Sequence, residues 1–216
     1  TAIYLLSLPQ TPSIIAGVIC GICVVVMLPG FMIIQPNNSR VLTFFGRYAG
    51  TVISNGFYWV NPLFLKSTVT LRILNLNIDP IKVNDKVGNP IMIGAVVVWR
   101  IKDTYKASFD ISGNIREFVQ IQSDAALRQV AGMYAYDTNE TIDKVTLRSD
   151  ESGEITQRLE DELNSRLAIA GIEIVEARIN YLAYASEIAS VMLRRQQADA
   201  IISARERIVE GAVSMV

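Results

Sequence analysis

Hydrophobic residues are unevenly spread along this chain, and their spacing changes from one stretch to the next. From Ile14 to Ile34 they run almost unbroken, and the first charged side chain is Arg40. At 1.5 Å per residue, about 21 such residues make a helix of roughly 30 Å, the thickness of a bilayer's hydrocarbon core. The run has no polar face, unlike a core helix of this length. It also lacks the basic flank and short apolar stretch of a signal peptide. It therefore predicts a membrane anchor over residues 1–35, with Ile14, Gly17, Cys20, Gly21, Val24, Val25, Leu28 and Pro29 inside it. Pro29-Gly30 leaves three outcomes open: a helix ending at Leu28, a kink, or a shallow re-entrant hairpin. The chain starts at Thr1 and not at Met, which leaves room for upstream residues.

From Phe31 to Ile101 the period is mostly two, which predicts a largely antiparallel, β-rich block, with the subdomain boundary at residue 36. Val41, Thr43 and Phe45 alternate with Leu42 and Phe44. Thr51 to Val60 is β-branched and aromatic around the turn dipeptide Asn55-Gly56. Lys66 to Ile78 reads as one run whose phase switches near Ile73-Leu74, as a bulge would produce, before Asp79-Pro80 breaks it. A turn over Asp85–Pro90 joins Ile81–Val83 to Ile91–Ile101, whose apolar density suits a strand buried on both faces. After Lys102 the period becomes helical. Ile115, Phe118, Val119, Gln122, Ala126 and Val130 share one helix face. Ser152 is placed to cap a second helix, striped by Ile155, Leu159, Leu163 and Leu167 and stopped by Gly171. Tyr136 to Arg148 suits a short helical turn, and Ile172 to Asn180 a strand. Residues 102–184 thus form an α/β block, and the whole chain is α+β.

Residues 185–216 predict a long helix that reaches the last residue without a stop signal, so the chain is expected to continue. Ile188, Val191, Arg195, Ala198, Ile202, Arg205, Val209 and Ala212 alternate at three and four, the spacing of helix–helix association. The two arginines fit a loosely packed wall better than a closed coiled coil, with Asp199 a partner for Arg195 four residues on.

Composition removes much chemistry. The formal charge is −1 with no basic block, which disfavours nucleic acid. Histidine is absent, and the two cysteines, Cys20 and Cys23, lie in the apolar run. Catalytic triads, Cys–His nucleophiles and Cys/His zinc sites are therefore excluded. Cys20-x-x-Cys23 has redox spacing but no electropositive, accessible setting to make a thiolate. Gly17-x-x-x-Gly21 would let membrane helices approach closely. Glu160-Asp161-Glu162 points to different sides of a helix, as a solvated surface does. No metal, cofactor or enzymatic activity is expected.

Four stretches resemble the SPFH or band 7 family of stomatins, prohibitins and flotillins, in the family's order. They are Pro29-Gly30-Phe31 with V-L-T-F-F-G-R-Y (41–48), G-F-Y-W-V-N-P (56–62), V-V-V-W-R-I (96–101), and the Gln/Ala-rich tail from Gln196 to Gly211. The tail and single anchor look most like prokaryotic-type or stomatin-like members. The resemblance implies a strand ending in F-G-x-Y, a hairpin at 56–62, and SPFH1-like and SPFH2-like subdomains at 36–101 and 102–184. It also implies a non-enzymatic scaffold that assembles with itself, or with a paralogue, into a ring or cage. Such an assembly organises a membrane microdomain and regulates membrane proteins such as a protease. A stomatin-like modulator of a channel or transporter, acting as a small oligomer, is the alternative. Phe44, Phe45, Phe57, Tyr58, Trp59 and Phe64 then become candidates for the bilayer interface, although the same set would serve as the sheet's own core. Arg40, Arg47, Lys66 and Arg72 follow the anchor, with no acid before Asp79, which favours a cytoplasmic domain.

Overall fold

A computed structural model describes residues 11–137, 146–148 and 153–214, with side chains from Ile15 onward. The chain forms two compact units. One comprises the residues up to Arg72 together with Ile101–Asp110, and the other Ile73–Arg100 together with the residues from Ile111 on.

The first unit starts with helix α1 (Thr11–Met27), 17 residues and so about 25 Å long. A 3-10 turn over Leu28–Gly30 follows, then strand β1 (Phe31–Ile34). Of the three outcomes left open at Pro29-Gly30, the α-helix ends within one residue of the first, at Met27, and residues 28–34 form the turn and β1. Pro29 has no N–H and its ring cannot continue the helix ladder. Among the described residues, no helix is long and apolar enough to cross a membrane.

The last carbonyls of this segment are each matched to a donor. Met27 O accepts from the Trp59 indole at 3.3 Å, and Leu28 O accepts from the Phe31 N–H. Pro29 O accepts from the Lys66 ammonium, and Gly30 O from the Val60 N–H at 2.9 Å. Helix ends leave such carbonyls without intrahelical partners, so this set joins α1 to the sheet that follows. Gly30 makes the approach possible, since a Cβ there would lie 2.6 Å from both Trp59 Nε1 and Val60 O.

β2 (Asn38–Phe44) and β3 (Arg47–Val52) form a hairpin, and β5 (Leu65–Thr70) pairs with the other edge of β2. The hairpin turns at Phe45-Gly46, with φ of 44° and 82° and Phe44 facing Arg47. Two positive φ values in a two-residue loop are the type I′ geometry. The expected strand through F-G-R-Y therefore reverses in its middle. The hairpin expected at 56–62 is also corrected: β4 (Gly56–Trp59) pairs antiparallel with β1, while β3 pairs with β2. Thr51 to Val60 thus links two different sheets. Helix α2 (Thr104–Phe109), capped by Asp103, completes this unit.

The second unit holds a sheet in the order β6 (Leu74–Asn84), β7 (Pro90–Ile101), β8 (Ile172–Tyr184). The phase switch at Ile73-Leu74 is a strand boundary and not a bulge. The irregularity sits between Ile78 and Ile81, so β6 continues through Asp79-Pro80. β7 buries Ile91, Ile93, Ala95, Val97 and Trp99 on one face, whereas Met92, Val96 and Val98 on the other are half-buried. Helices α3 (Ile115–Met133) and α4 (Glu154–Leu167) pack on the sheet through the stripes their spacing predicted, and Gly171 follows α4 at φ 67°. Ser152 and residues 138–145 lie outside the described residues. Around that gap, Leu147 and Arg148 donate to Ala135 and Tyr136 as a backbone bridge. Helix α5 (Ser186–Val213) runs on from β8.

The buried carboxylate of Asp85 organises the β6–β7 turn. It accepts from the N–H groups of Val87, Asn89 and Tyr136 and from the Asn89 amide, at 2.7–3.2 Å. Its four donors explain why a carboxylate is tolerated there.

Two predictions follow from packing. Gly30→Ala should lower stability by about 2 kcal/mol through forced displacement of the Val60 backbone; an unchanged melting temperature in mild detergent refutes this. Asp124, on α3, has its carboxyl raised above the usual range, chiefly by burial, against Arg128 and with Asp79. Its ionised form therefore opposes folding at neutral pH. Asp124→Asn should melt higher than the wild type at pH 7, and the gain should shrink as pH falls toward the unfolded carboxyl's range near 4. A gain independent of pH would refute the assignment.

Candidate functional site

Strands β1 and β4 make a two-stranded sheet whose faces differ. Met32, Ile34 and Tyr58 point into a cluster with Leu42, Val52, Val60 and Phe64. The other face carries Phe31, Ile33, Phe57 and Trp59, all exposed. The register sets Phe31 opposite Trp59 and Ile33 opposite Phe57, and the Phe31 and Phe57 rings stack at 5.3 Å. Four large apolar side chains on one open face form the kind of patch that marks a lipid or protein contact. Trp59 also holds the end of α1 through Met27 O, so the patch begins where that helix ends.

The structure divides the six aromatic candidates. Phe57 and Trp59 lie on the open face, whereas Tyr58 and Phe64 pack against the buried cluster. Phe45 occupies the β2–β3 hairpin tip and is 81% exposed. A bulky side chain at positive φ is unusual, since Asn, Asp and Gly take such positions at little cost. Phe44 packs edge-on between Phe45 at 4.7 Å and Phe64 at 5.4 Å, with about a third of its surface open. Phe31 and Ile33 belong to the same face; in the sequence they fall both in the apolar run and at the start of the period-two block, and neither is singled out there as an interface residue. Their alternation with Met32 and Ile34 immediately after Pro29-Gly30 was the available signal.

Beside this sheet lies a cavity of about 610 Å³, lined by Phe31, Ile33 and Phe57 and by Arg40, Lys66 and Thr68 from β2 and β5. Arg40 is half-buried and opposite Thr68 in the register, while Lys66 is opposite Leu42. No acid occurs between residue 1 and Asp79. Among the described residues, the Arg40 side chain makes no ion pair.

Of the α1 candidates, Val24, Val25 and Leu28 are exposed, and Cys20 is half-buried. Gly21 has open space beyond its Cα. Ile14 lies in α1, its side chain outside the described set. On α5, no residue is buried: Ile188 is half-buried, and Val191, Arg195, Ala198, Ile202, Arg205, Val209 and Ala212 are exposed. Arg195 and Asp199 stand 3.8 Å apart. The first turn is held by Glu187, which bonds Lys82 at 2.6 Å; that ammonium draws its carboxyl below the usual range. Gln196 donates to Asp137 at 3.1 Å. Tyr184, at the end of β8, is raised above the usual phenol range by burial and then by Asp137.

The acids considered for proton transfer have structural partners. Glu160 accepts from the Ala177 N–H at 3.0 Å, and Glu162 pairs with Arg166 at 2.7 Å. Among the described residues, no group of three or more His, Cys, Asp or Glu could hold a metal ion.

None of the curated proteins matches the chain. The SPFH domain / Band 7 family matches residues 32–212, which takes in the first unit beyond α1 and Phe31, and the second unit through nearly all of α5. The chain therefore belongs to the SPFH / Band 7 family, whose members are in general membrane-associated, oligomerising scaffolds and not enzymes.

Proposed function

We propose that this protein is a scaffold that lies on a bilayer through α1 and the open face of β1–β4, and assembles laterally through α5 into a ring or cage. Such a wall would organise a membrane microdomain and regulate the membrane proteins beside it, a membrane protease among them. The observation that carries this reading is α5 itself: 28 residues with none buried, and Val191, Leu193, Ile201, Ile202, Ile208 and Val209 all exposed. A single chain gains nothing from such a helix, since helical stability in proteins comes mostly from a packed apolar face.

Its apolar residues form two seams. The first is the predicted one, from Ile188 to Ala212. The second runs through Gln197, Ile201, Ala204, Ile208 and Gly211 at the same alternation of three and four, about a quarter turn away at 100° per residue. A helix with one seam suits a closed pair. A helix with two faces two neighbours, which is the arrangement of a wall.

The membrane reading rests on the exposed Val, Ile and Met side chains of α1, on Leu28 just after it, and on the satisfied carbonyls of this segment. In an apolar medium each unpaired backbone group costs several kcal/mol, so a helix that ends near lipid needs such partners. At about 25 Å, α1 suits a shallow or re-entrant insertion, with Phe45 and the Phe57–Trp59 face at the interface. The basic residues Arg40, Arg47, Lys66 and Arg72, with no acid before Asp79, support a cytoplasmic side for the residues that follow α1.

Two outcomes test this. Ala198→Glu with Ala212→Glu, and separately Ala204→Glu, should each disperse a large detergent-extracted particle into small species, read by light scattering. Dispersal by the first pair alone would reduce the contact to one seam, and a small wild-type oligomer would favour the channel or transporter modulator. Val24→Arg with Val25→Arg should cost about 3 kcal/mol per arginine of insertion and release the protein from membranes; persistent tight association refutes α1 as the anchor.

A further inference from the structure

We propose that the cavity beside β1–β4 seats an anionic phospholipid, with its phosphate on Arg40 and Lys66 and its acyl chains against Phe31 and Phe57. The inference rests on the membrane reading above and names the lipid class that the surface selects.

The first argument is charge. Arg40 is half-buried and lines the cavity, yet among the described residues its side chain has no ion-pair partner. No carboxylate exists in the sequence before Asp79 to supply one. A partly desolvated guanidinium without a counter-charge is costly, and its planar donors match phosphate oxygens. Lys66 lines the same cavity. One of its three N–H donors goes to Pro29 O, which leaves the ammonium charge and two donors for an anion. Arg40 and Lys66 lie on one face of the β2–β5 pair, where Arg40 faces Thr68 and Leu42 faces Lys66, so the two cations are diagonal neighbours.

The second argument is the apolar lining. Phe31, Ile33 and Phe57 line the same cavity with exposed apolar surface, which free inorganic phosphate would not use. The volume, about 610 Å³, suits a headgroup with the first part of its chains. The third is depth. Lys66 is bonded to the Pro29 carbonyl, inside the 3-10 turn that follows α1, so the cationic side of the cavity sits where the apolar helix stops. A bilayer keeps its phosphates at that boundary.

The experiment uses the full chain in nanodiscs of phosphatidylcholine with one-third phosphatidylglycerol, followed by exchange into mild detergent and native mass spectrometry. The wild type should retain phosphatidylglycerol at least tenfold over phosphatidylcholine. Arg40→Gln should lose that preference, and Arg40→Lys should keep most of it. Thr68→Glu supplies an internal carboxylate opposite Arg40 without removing a cation, and it should also abolish retention; this variant decides the matter if Arg40→Gln proves unstable. Arg72→Gln, outside the cavity lining, should retain lipid as the wild type does. Equal retention of the two lipids, or undiminished phosphatidylglycerol on Thr68→Glu, would overturn the proposal. So would displacement of the lipid by millimolar inorganic phosphate, or occupancy by a co-purifying peptide. A protein that enters nanodiscs but shows no lipid preference defeats this inference alone. One that fails to enter them defeats the membrane reading as well.

Discussion

The carbonyl groups at the end of α1 are the constraint around which the first unit is organised. The last carbonyls of a helix lack intrahelical partners, and this segment gives each carbonyl from Met27 to Gly30 a donor from the strand region that follows. Trp59 and Val60 come from β4 and the residue after it, and Lys66 from β5. The pairing of β4 with β1 is thus tied to the end of α1, which sets which aromatic side chains face outward. Gly30 admits the backbone of Val60 at a distance no other residue would allow. The open apolar face, the cation-lined cavity and the helix end are consequences of one junction.

The two units divide polar and apolar work differently. The first has few acids, a half-buried Arg40 that makes no ion pair among the described residues, and exposed aromatic residues. The second is richer in acids. Its acids are absorbed into the fold, with Asp85 in the β6–β7 turn, Glu160 on the β8 backbone and Glu162 on Arg166. Of Glu160-Asp161-Glu162, Glu160 ties α4 to β8 and Glu162 forms an ion pair within α4. Buried carboxylates that accept several N–H donors are structural more often than catalytic.

Helix α5 carries the same logic to assembly. Its first turns are fixed through Glu187, Gln196 and the Ala185 N–H on Pro90 O. Beyond them its apolar residues are open to solvent along two seams, and a family whose members oligomerise offers a use for such a helix.

Periodicity alone determined a good deal. The stripes of α3 and α4, the Gly171 stop, the strand at Ile172, the Arg195–Asp199 pair and the extent of α5 were all legible, because each depends on residues within a few positions of one another. Tertiary structure decided what depends on distant partners. An apolar run reads the same whether it stays helical or is drawn into a strand, so β1 was ambiguous until β4 paired with it. Phe45-Gly46 is not a usual turn dipeptide, and the reversal there follows from β2 and β3 holding the loop at positive φ. Six neighbouring aromatic residues gave no sign of which faced outward, since alternation assigns relative sides of a strand but not which side meets the core. That choice was made by Leu42, Val52 and Val60, which cover Tyr58 and leave Phe57 and Trp59 open.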